Sequence, residues 1–297
     1  MHGILQVDRG NVVEQRQEHL PAWVAASRLG SLKVSGQSVT LWFQMHGSSR
    51  IDAREGSFHL CRGDWMLLER ESQPLLQVQR NALTLGITIP ADSWDRMARR
   101  FPSQEIPLPG RDHLHASHRR MALRLWRQGA NAHKDDAHRQ RCLETLLRHL
   151  ASMQPEVGAL AARYPRRSLQ RQRQLLMRMQ RARLFLEGNS HRVVRLSELA
   201  DLTNLSIWHF AKTYQALYSE SPLASGKRMR LERARRMLLA TSYSIAEVGR
   251  ACGFENNCGF SRAFRAWYGT TPSAIKANAE SVPGEGSVPM AATFRGH

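Results

Sequence analysis

Apolar and polar residues alternate with a period of two in the segment V-T-L-W-F-Q-M, which runs from Val39 to Met45. The alternation predicts a strand with one face toward a core and Thr40, Trp42 and Gln44 on the other. Further strands are predicted at 57–61, 65–68, 75–79 and 83–89, separated by the turn signals Gly47-Ser48-Ser49, Arg62-Gly63-Asp64 and Gln73-Pro74. Five or more short antiparallel strands predict a small barrel or sandwich.

From residue 91 onward the apolar spacing becomes helical. We predict amphipathic helices over 112–128 and 135–153, the second with Cys142, Leu146, Leu147 and Leu150 on one face. Residues 154–170 carry little apolar periodicity and predict a boundary. The fold class is therefore α+β, with a strand-rich domain that includes helices at 1–165, an all-α domain at 171–279 and a disordered tail at 280–297.

One sequence pattern occurs twice in the second domain, 50 residues apart. F-A-K-T-Y-Q-A-L-Y-S-E-S-P (210–222) aligns with F-S-R-A-F-R-A-W-Y-G-T-T-P (260–272). Each copy ends in a hydroxyl residue followed by proline, a pair that begins a helix. A short helix is predicted before each copy, at 197–202 and 244–252, and a tight turn follows it. The pattern therefore predicts two helix-turn-helix motifs.

The two faces of each second helix have different predicted roles. Aromatic residues at i, i+4 spacing predict core packing, and these are Phe210, Tyr214, Phe260 and Phe264. A recognition helix contacts base edges from its first turns. The candidate DNA-binding residues are therefore those of the early turns on the face opposite the aromatic residues, namely Trp208, His209, Ala211, Lys212, Asn257, Cys258, Ser261 and Arg262.

A continuous helix is predicted to connect the two motifs. It covers residues 222–240 and places Leu223, Leu231, Ala234, Met237 and Leu238 on one face. A helix of that length measures ~28 Å, close to the ~34 Å between successive turns of one DNA face. Two recognition helices could then enter adjacent major-groove segments.

Charge favours a polyanionic partner. The 297 residues hold 43 Lys and Arg against 25 Asp and Glu, a formal net charge of +18. Residues 161–280 alone hold 21 basic and 8 acidic residues. Arginine exceeds lysine throughout the chain, so only this clustering points to nucleic acid.

The stretch from about 175 to 278 resembles the DNA-binding domain of the AraC/XylS family of bacterial transcription regulators. The densest match is S-I-A-E-V-G-R-A-C-G-F (244–254) followed by F-S-R-A-F-R-A-W-Y-G-T-T-P-S-A (260–274). Ser219, Gly249 and Lys276 depart from the family pattern, which has a turn glycine, an alanine and an arginine there.

This resemblance implies a sequence-specific transcriptional regulator, with activation as the expected outcome. It implies base contacts from Trp208, Ala211 and Lys212 in the first motif and from Asn257, Cys258, Ser261 and Arg262 in the second. The implied partners are double-stranded promoter DNA, RNA polymerase and a second copy of the chain in a homodimer.

The N-terminal half resembles the cupin-like antiparallel β-barrel that often accompanies this domain, which would bind a small-molecule effector or dimerise. The resemblance rests on two segments, L-W-F-Q-M-H-G-S-S-R and F-H-L-C-R-G-D-W-M-L-L-E. A metal-binding cupin would need H-x-H followed by a carboxylate, whereas His46 and His59 stand singly. His113, His115 and His118 are predicted to be surface residues of one helix, so no metal is expected.

Two alternatives belong to other classes. A DNA repair or modifying enzyme with an AraC-like appendage would need a clustered thiol site, but Cys61, Cys142, Cys252 and Cys258 form no C-x-x-C pair. No G-x-S-x-G, H-E-x-x-H or phosphate-loop signature occurs. An architectural DNA protein would not need the strand-rich domain. We therefore expect no catalytic residue and no cofactor.

The first residues, M-H-G-I-L-Q-V-D-R-G-N, lack the basic start and apolar stretch of a secretory signal. No apolar run approaches the ~18 residues that a membrane helix needs. A cytoplasmic location without membrane association is therefore expected.

Overall fold

The computed structural model describes residues 4–16, 19–101, 105–132, 135–154 and 168–280. Most of the predicted boundary at 154–170 and of the predicted tail at 280–297 lies outside these ranges. The domain division expected from the sequence therefore stays a prediction.

Two β-sheets form the N-terminal part of the described chain. Their strands are β1 Leu5–Val7, β2 Val12–Gln15, β3 Ala22–Ser27, β4 Ser31–Val34, β5 Ser38–His46, β6 Ser48–Ala53, β7 Gly56–Cys61, β8 Asp64–Leu68, β9 Leu75–Val78, β10 Leu83–Pro90 and β11 Gly110–His113. One sheet has the order β1-β3-β10-β5-β8-β11 and the other β2-β4-β9-β6-β7. Neighbouring strands are antiparallel except for the parallel pairs β1–β3 and β2–β4.

The five predicted strands correspond to β5, β7, β8, β9 and β10. Strand β6 begins at Ser48, where a turn was predicted, because the turn is confined to Gly47 at φ +63°. The two faces of β5 contribute to different buried clusters. Phe43 packs in the cluster between sheet and helices, and Trp42 packs in the second cluster between the two sheets. Both faces of β5 are therefore core.

Three helices follow or flank this region: α1 Ala91–Arg100, α2 Ala116–Asn131 and α3 Asp136–Ala151. The apolar faces of α2 and α3 pack on the first sheet, where Trp126 and Leu146 join the same buried cluster as Trp23. The Trp126 indole N–H donates to the Gly86 carbonyl at 3.0 Å. The predicted apolar face of α3 is thus used inside the chain.

The helix predicted over 112–128 begins four residues later, because Gly110–His113 pairs with β8 as strand β11. The prediction that His113 is a helical surface residue was therefore wrong. Its Nδ1 lies 3.1 Å from Asp64 Oδ1, while His118 Nδ1 lies 3.3 Å from His149 Nε2.

Helix α4, Leu169–Gly188, packs against the strands. Leu184 is buried in the cluster between the sheets, together with Phe58. Gly188 meets the backbone of Gly56 so closely that a Cβ at either glycine would overlap the other. Asn189 Nδ2 donates to the Glu55 carbonyl at 2.9 Å. Helix α4 is therefore part of the same packed body as the sheets.

Buried charges reinforce this packing. Arg111 of β11 donates to Asp64 at 2.7 Å and to Glu187 at 2.6 Å, and Arg181 pairs with Glu69. Burial alone would raise the pKa of Asp64, but Arg111, the Cys61 N–H and His113 together hold that pKa below its usual value. For Glu69 burial outweighs Arg181, and its pKa is raised.

Six further helices complete the described chain: α5 Leu196–Thr203, α6 Ile207–Tyr218, α7 Pro222–Ala240, α8 Ile245–Ala251, α9 Asn257–Tyr268 and α10 Pro272–Glu280. Backbone contacts divide the chain into two compact units. One unit comprises Met1–Asn189 with Val194–Ser225, and the other comprises Ser190–Val193 with Gly226–His297.

Candidate nucleic-acid interface

The first helix-turn-helix motif consists of α5 and α6. Helix α5 ends at Asn204, whose left-handed backbone (φ 50°) makes the sharp turn. The Ser206 hydroxyl then caps α6 by accepting from the His209 N–H at 3.3 Å. Phe210 and Tyr214 are fully buried on the inner face of α6, as predicted.

The second motif consists of α8 and α9. The predicted capping box is confirmed, because the Glu247 carboxylate accepts from the Ser244 N–H at 2.7 Å and the Ser244 hydroxyl accepts from the Glu247 N–H. Gly253, at φ +71°, makes the turn, and a Cβ there would press on the backbone of Arg192.

The core of this second motif is aromatic. Phe260 and Phe264 are fully buried against Leu231, Ala234 and Leu238 of α7 and against Val248 and Cys252 of the α8 segment. Burial raises the pKa of the Cys252 thiol to about 11. Helix α7 spans 222–240, as predicted. The prediction that Leu223 lies on its apolar face was wrong, because Leu223 is 54% exposed.

On α6 the predicted DNA-facing side is open to solvent. Trp208 is 68% exposed, and the Lys212 Nζ lies 4.8 Å from the centre of its ring. Such a cation–π contact holds the long lysine side chain beside the indole. His209 and Ala211 are partly buried at the sides of this pair.

On α9 the side chains of Cys258 and Arg262 are exposed one turn apart. The Arg262 Nε donates to the Cys258 carbonyl at 3.4 Å, and no acidic side chain in the described ranges pairs with Arg262. Ser261 is partly buried beside them. Asn257 is exposed at the first position of the helix, about 100° around the axis from Cys258. The structure thus brings Cys258 and Arg262 onto one stripe and leaves Asn257 to its side.

Two exposed residues on the same stripes were not selected from the sequence. Gln215 follows Lys212 by three residues and Arg265 follows Arg262 by three, and both lie between the azimuths of the candidate residues. The 50-residue repeat makes them equivalent positions. The signal that could have found them was the repeat itself, extended one turn further along each helix.

Three arginines of α7 contact neighbouring groups of the protein. Arg228 pairs with Glu232 at 2.9 Å, and Arg230 donates to the Gly253 carbonyl at 2.8 Å while lying over the Phe254 ring. Arg235, although exposed, lies 5.5 Å from the centre of the Tyr268 ring.

Two residues that differ from the AraC/XylS sequence pattern, Ser219 and Lys276, have visible local consequences. Ser219 adopts φ +60° at the end of α6, where the equivalent Gly269 adopts φ +70° at the end of α9. The Lys276 ammonium donates to the carbonyls of Ser242 and Tyr243, at 3.3 and 2.8 Å, so the lysine closes the loop before α8.

No three His, Cys, Asp or Glu side chains of the described ranges converge as ligands for a metal ion. Nor does any helix in those ranges combine the length and apolar character needed to cross a bilayer.

Comparison with known proteins matches residues 199–278 to a helix-turn-helix domain family. The MmsAB operon regulatory protein of Pseudomonas aeruginosa is 32% identical over 31% of this chain and 30% of its own length. The HTH-type transcriptional regulator ArgR of the same organism is 32% identical over 32% of this chain and 29% of its own length. The matched region therefore spans less than a third of these relatives.

A solved structure, that of a probable AraC family transcriptional regulator from Rhodopseudomonas palustris CGA009, is 30% identical. The match covers 34% of this chain and 96% of that one, with a TM-score of 0.33.

Proposed function

The chain carries a helix-turn-helix domain of the AraC/XylS type at residues 199–278, and we propose that it is a DNA-binding transcriptional regulator with two reading helices. The observation that carries the proposal is the exposure of α6 and α9. Each buries an aromatic face and presents a cationic residue, Lys212 or Arg262, to solvent without an acidic partner in the described ranges.

The two helices would read DNA in adjacent major-groove segments. Helix α7 is continuous over 19 residues, or ~28 Å, close to the ~34 Å repeat of a DNA face. The exposed groups suit different readout. Trp208 offers apolar contact with a thymine methyl, Lys212 and Arg262 offer donors to guanine, and Asn257 offers an amide to adenine.

The N-terminal sheets would supply regulation. We assign to them the response to a small-molecule effector and the formation of a homodimer, with RNA polymerase as the partner at an activated promoter. The relatives reported above are named as regulators, and none of them supports the enzyme alternative.

The test is selection of bound sequences from random duplexes with the full chain, followed by binding titrations at several salt concentrations. A defined site with two segments about one helical turn apart is expected, and its affinity should fall steeply as salt rises. Enrichment of no sequence would contradict specific readout, and an affinity independent of salt would contradict binding through phosphates.

A further inference from the structure

One face of α2 presents three arginines in a row. Arg120, Arg124 and Arg127 recur at i, i+4 and i+7, so they lie on one side of the helix, and all three are exposed. In the described part of the chain none of them has an ion-pair partner. We name these three residues the α2 arginine row.

Several other arginines of the same unit have an ion-pair partner or a favourable place in a helix. Arg50 pairs with Asp52, Arg70 with Asp95, and Arg148 with Glu105. Helix α1 has Arg99 and Arg100 in its last turn, where the negative end of the helix dipole favours them. Helix α2, by contrast, contains no acidic residue along its 16 positions.

This placement costs folding free energy. Like charges that are neighbours on a helix surface destabilise the helix. Arg120 also lies near the positive N-terminal end of α2, which has no side-chain cap. Local conflicts of this kind are expected at functional sites, because the favourable term comes from a ligand.

The surroundings of the row suit phosphate groups. Ser117, Gln128 and Asn131 are exposed on the same side of α2 and can donate hydrogen bonds. The row extends ~10.5 Å along the helix axis, and the phosphates of one DNA strand follow one another every ~3.4 Å of duplex axis. Three arginines therefore span about three phosphates.

A protein partner fits less well. Protein interfaces have an apolar or aromatic centre, whereas most apolar residues of α2 pack against the sheet, and the exposed ones are Met121, 45% exposed, and the small Ala116. A second copy related by a two-fold axis through α2 would bring like charges together.

We propose, on the basis of the proposed function, that the α2 arginine row is a second DNA-binding surface, which contacts the phosphate backbone of a duplex. It contacts phosphates without sequence preference, and it adds the strand-rich part of the chain to the DNA footprint.

The test compares two triple variants of the full chain with equal loss of charge. R120Q/R124Q/R127Q removes the row and keeps the side-chain length. R54Q/R62Q/R80Q removes three other arginines that are exposed, and no ion pair is seen for them in the described ranges. The probe is a 60-base-pair duplex of random sequence, titrated at 50–300 mM KCl.

Each lost phosphate contact should reduce the slope of log K against log salt concentration by ~0.9 in magnitude. The slope measured for the row variant should therefore be smaller in magnitude than the wild-type slope by ~1.8–2.7, which corresponds to two or three lost contacts. The control variant should keep the wild-type slope. The melting temperature of the row variant should equal or exceed that of the wild type, since repulsion within α2 is relieved.

Equal slopes for the two variants would overturn the inference alone, and so would a lower melting temperature for the row variant, which would indicate a structural role. If the wild-type chain binds no duplex at any salt concentration, the proposed function fails together with the inference.

Discussion

The Arg111 guanidinium donates a 2.6 Å hydrogen bond to the Glu187 carboxylate and so joins strand β11 to helix α4. The Arg111 side chain is 12% exposed, and it also contacts Asp64. A charge held this far from water is stable only because both carboxylates accompany it.

Replacing Arg111 with methionine should destabilise the chain by about 3 kcal/mol, because Asp64 and Glu187 would be left partly buried without their cation. Arg50→Met, which breaks the exposed pair with Asp52, is the matched control and should cost less than ~1 kcal/mol. Urea titration followed by circular dichroism measures both. Equal costs would show that the buried pair is no stronger than a surface pair.

Lys212→Ala and Arg262→Ala should each cost ~1–3 kcal/mol of DNA-binding free energy at one or two base pairs and relax specificity there. Arg235 is exposed on α7, outside the two recognition helices, and we expect it to contact phosphate rather than bases. Arg235→Ala should therefore weaken binding to all sequences alike, since a phosphate contact carries no base information. Titrations against single-base variants of a selected site measure the difference. Uniform losses for all three variants would assign Lys212 and Arg262 to the backbone.

Gln215 and Arg265 extend the two exposed stripes by one turn. Arg265→Ala should reduce DNA affinity more than Gln215→Ala, because only the arginine brings a charge to the phosphates or a fork to a base. The same titrations, repeated at two salt concentrations, test this order. A larger loss for Gln215→Ala would remove Arg265 from the interface.

Ser219→Gly should stabilise the chain by about 0.5–1 kcal/mol, because Ser219 holds a left-handed backbone that glycine adopts without a Cβ clash. Gly269→Ser, at the equivalent position of the second motif, should destabilise it by a similar amount. Thermal melting of both variants measures these two changes in stability. An unchanged or lowered melting temperature for Ser219→Gly would contradict the strain argument.

Stability should fall as the pH drops below 6.5. Burial, and then the neighbouring His118, lower the pKa of His149 below 6.5, so the unfolded chain binds more protons in this range. The stabilisation is full above pH 6.5 and is lost as the pH falls through the folded pKa. His149→Gln should make the decline shallower in melting curves at half-unit pH steps, and an unchanged decline would contradict this role of His149.

The sequence predicted the helix-turn-helix motifs well because their signals are local. The capping box at Ser244, the glycine turn and the i, i+4 aromatics each act within a few residues. Strand β11 was missed because its apolar content is low and its stability comes from pairing with β8, which is distant in sequence. Arg111 was missed for the same reason, since its partners lie 47 and 76 residues away.

The packing of α4 has a consequence for any exchange of domains between regulators. Leu184 fills the space between the sheets, and Arg181, Glu187 and Asn189 bond to strands or loops of the sheet region. A hybrid protein whose junction lies before residue 169 would combine α4 with the sheets of another regulator. Those sheets would lack the residues that these α4 side chains contact. Any hybrid protein should therefore keep α4 together with its own sheets, because the contacts of this helix belong to the N-terminal part of the chain.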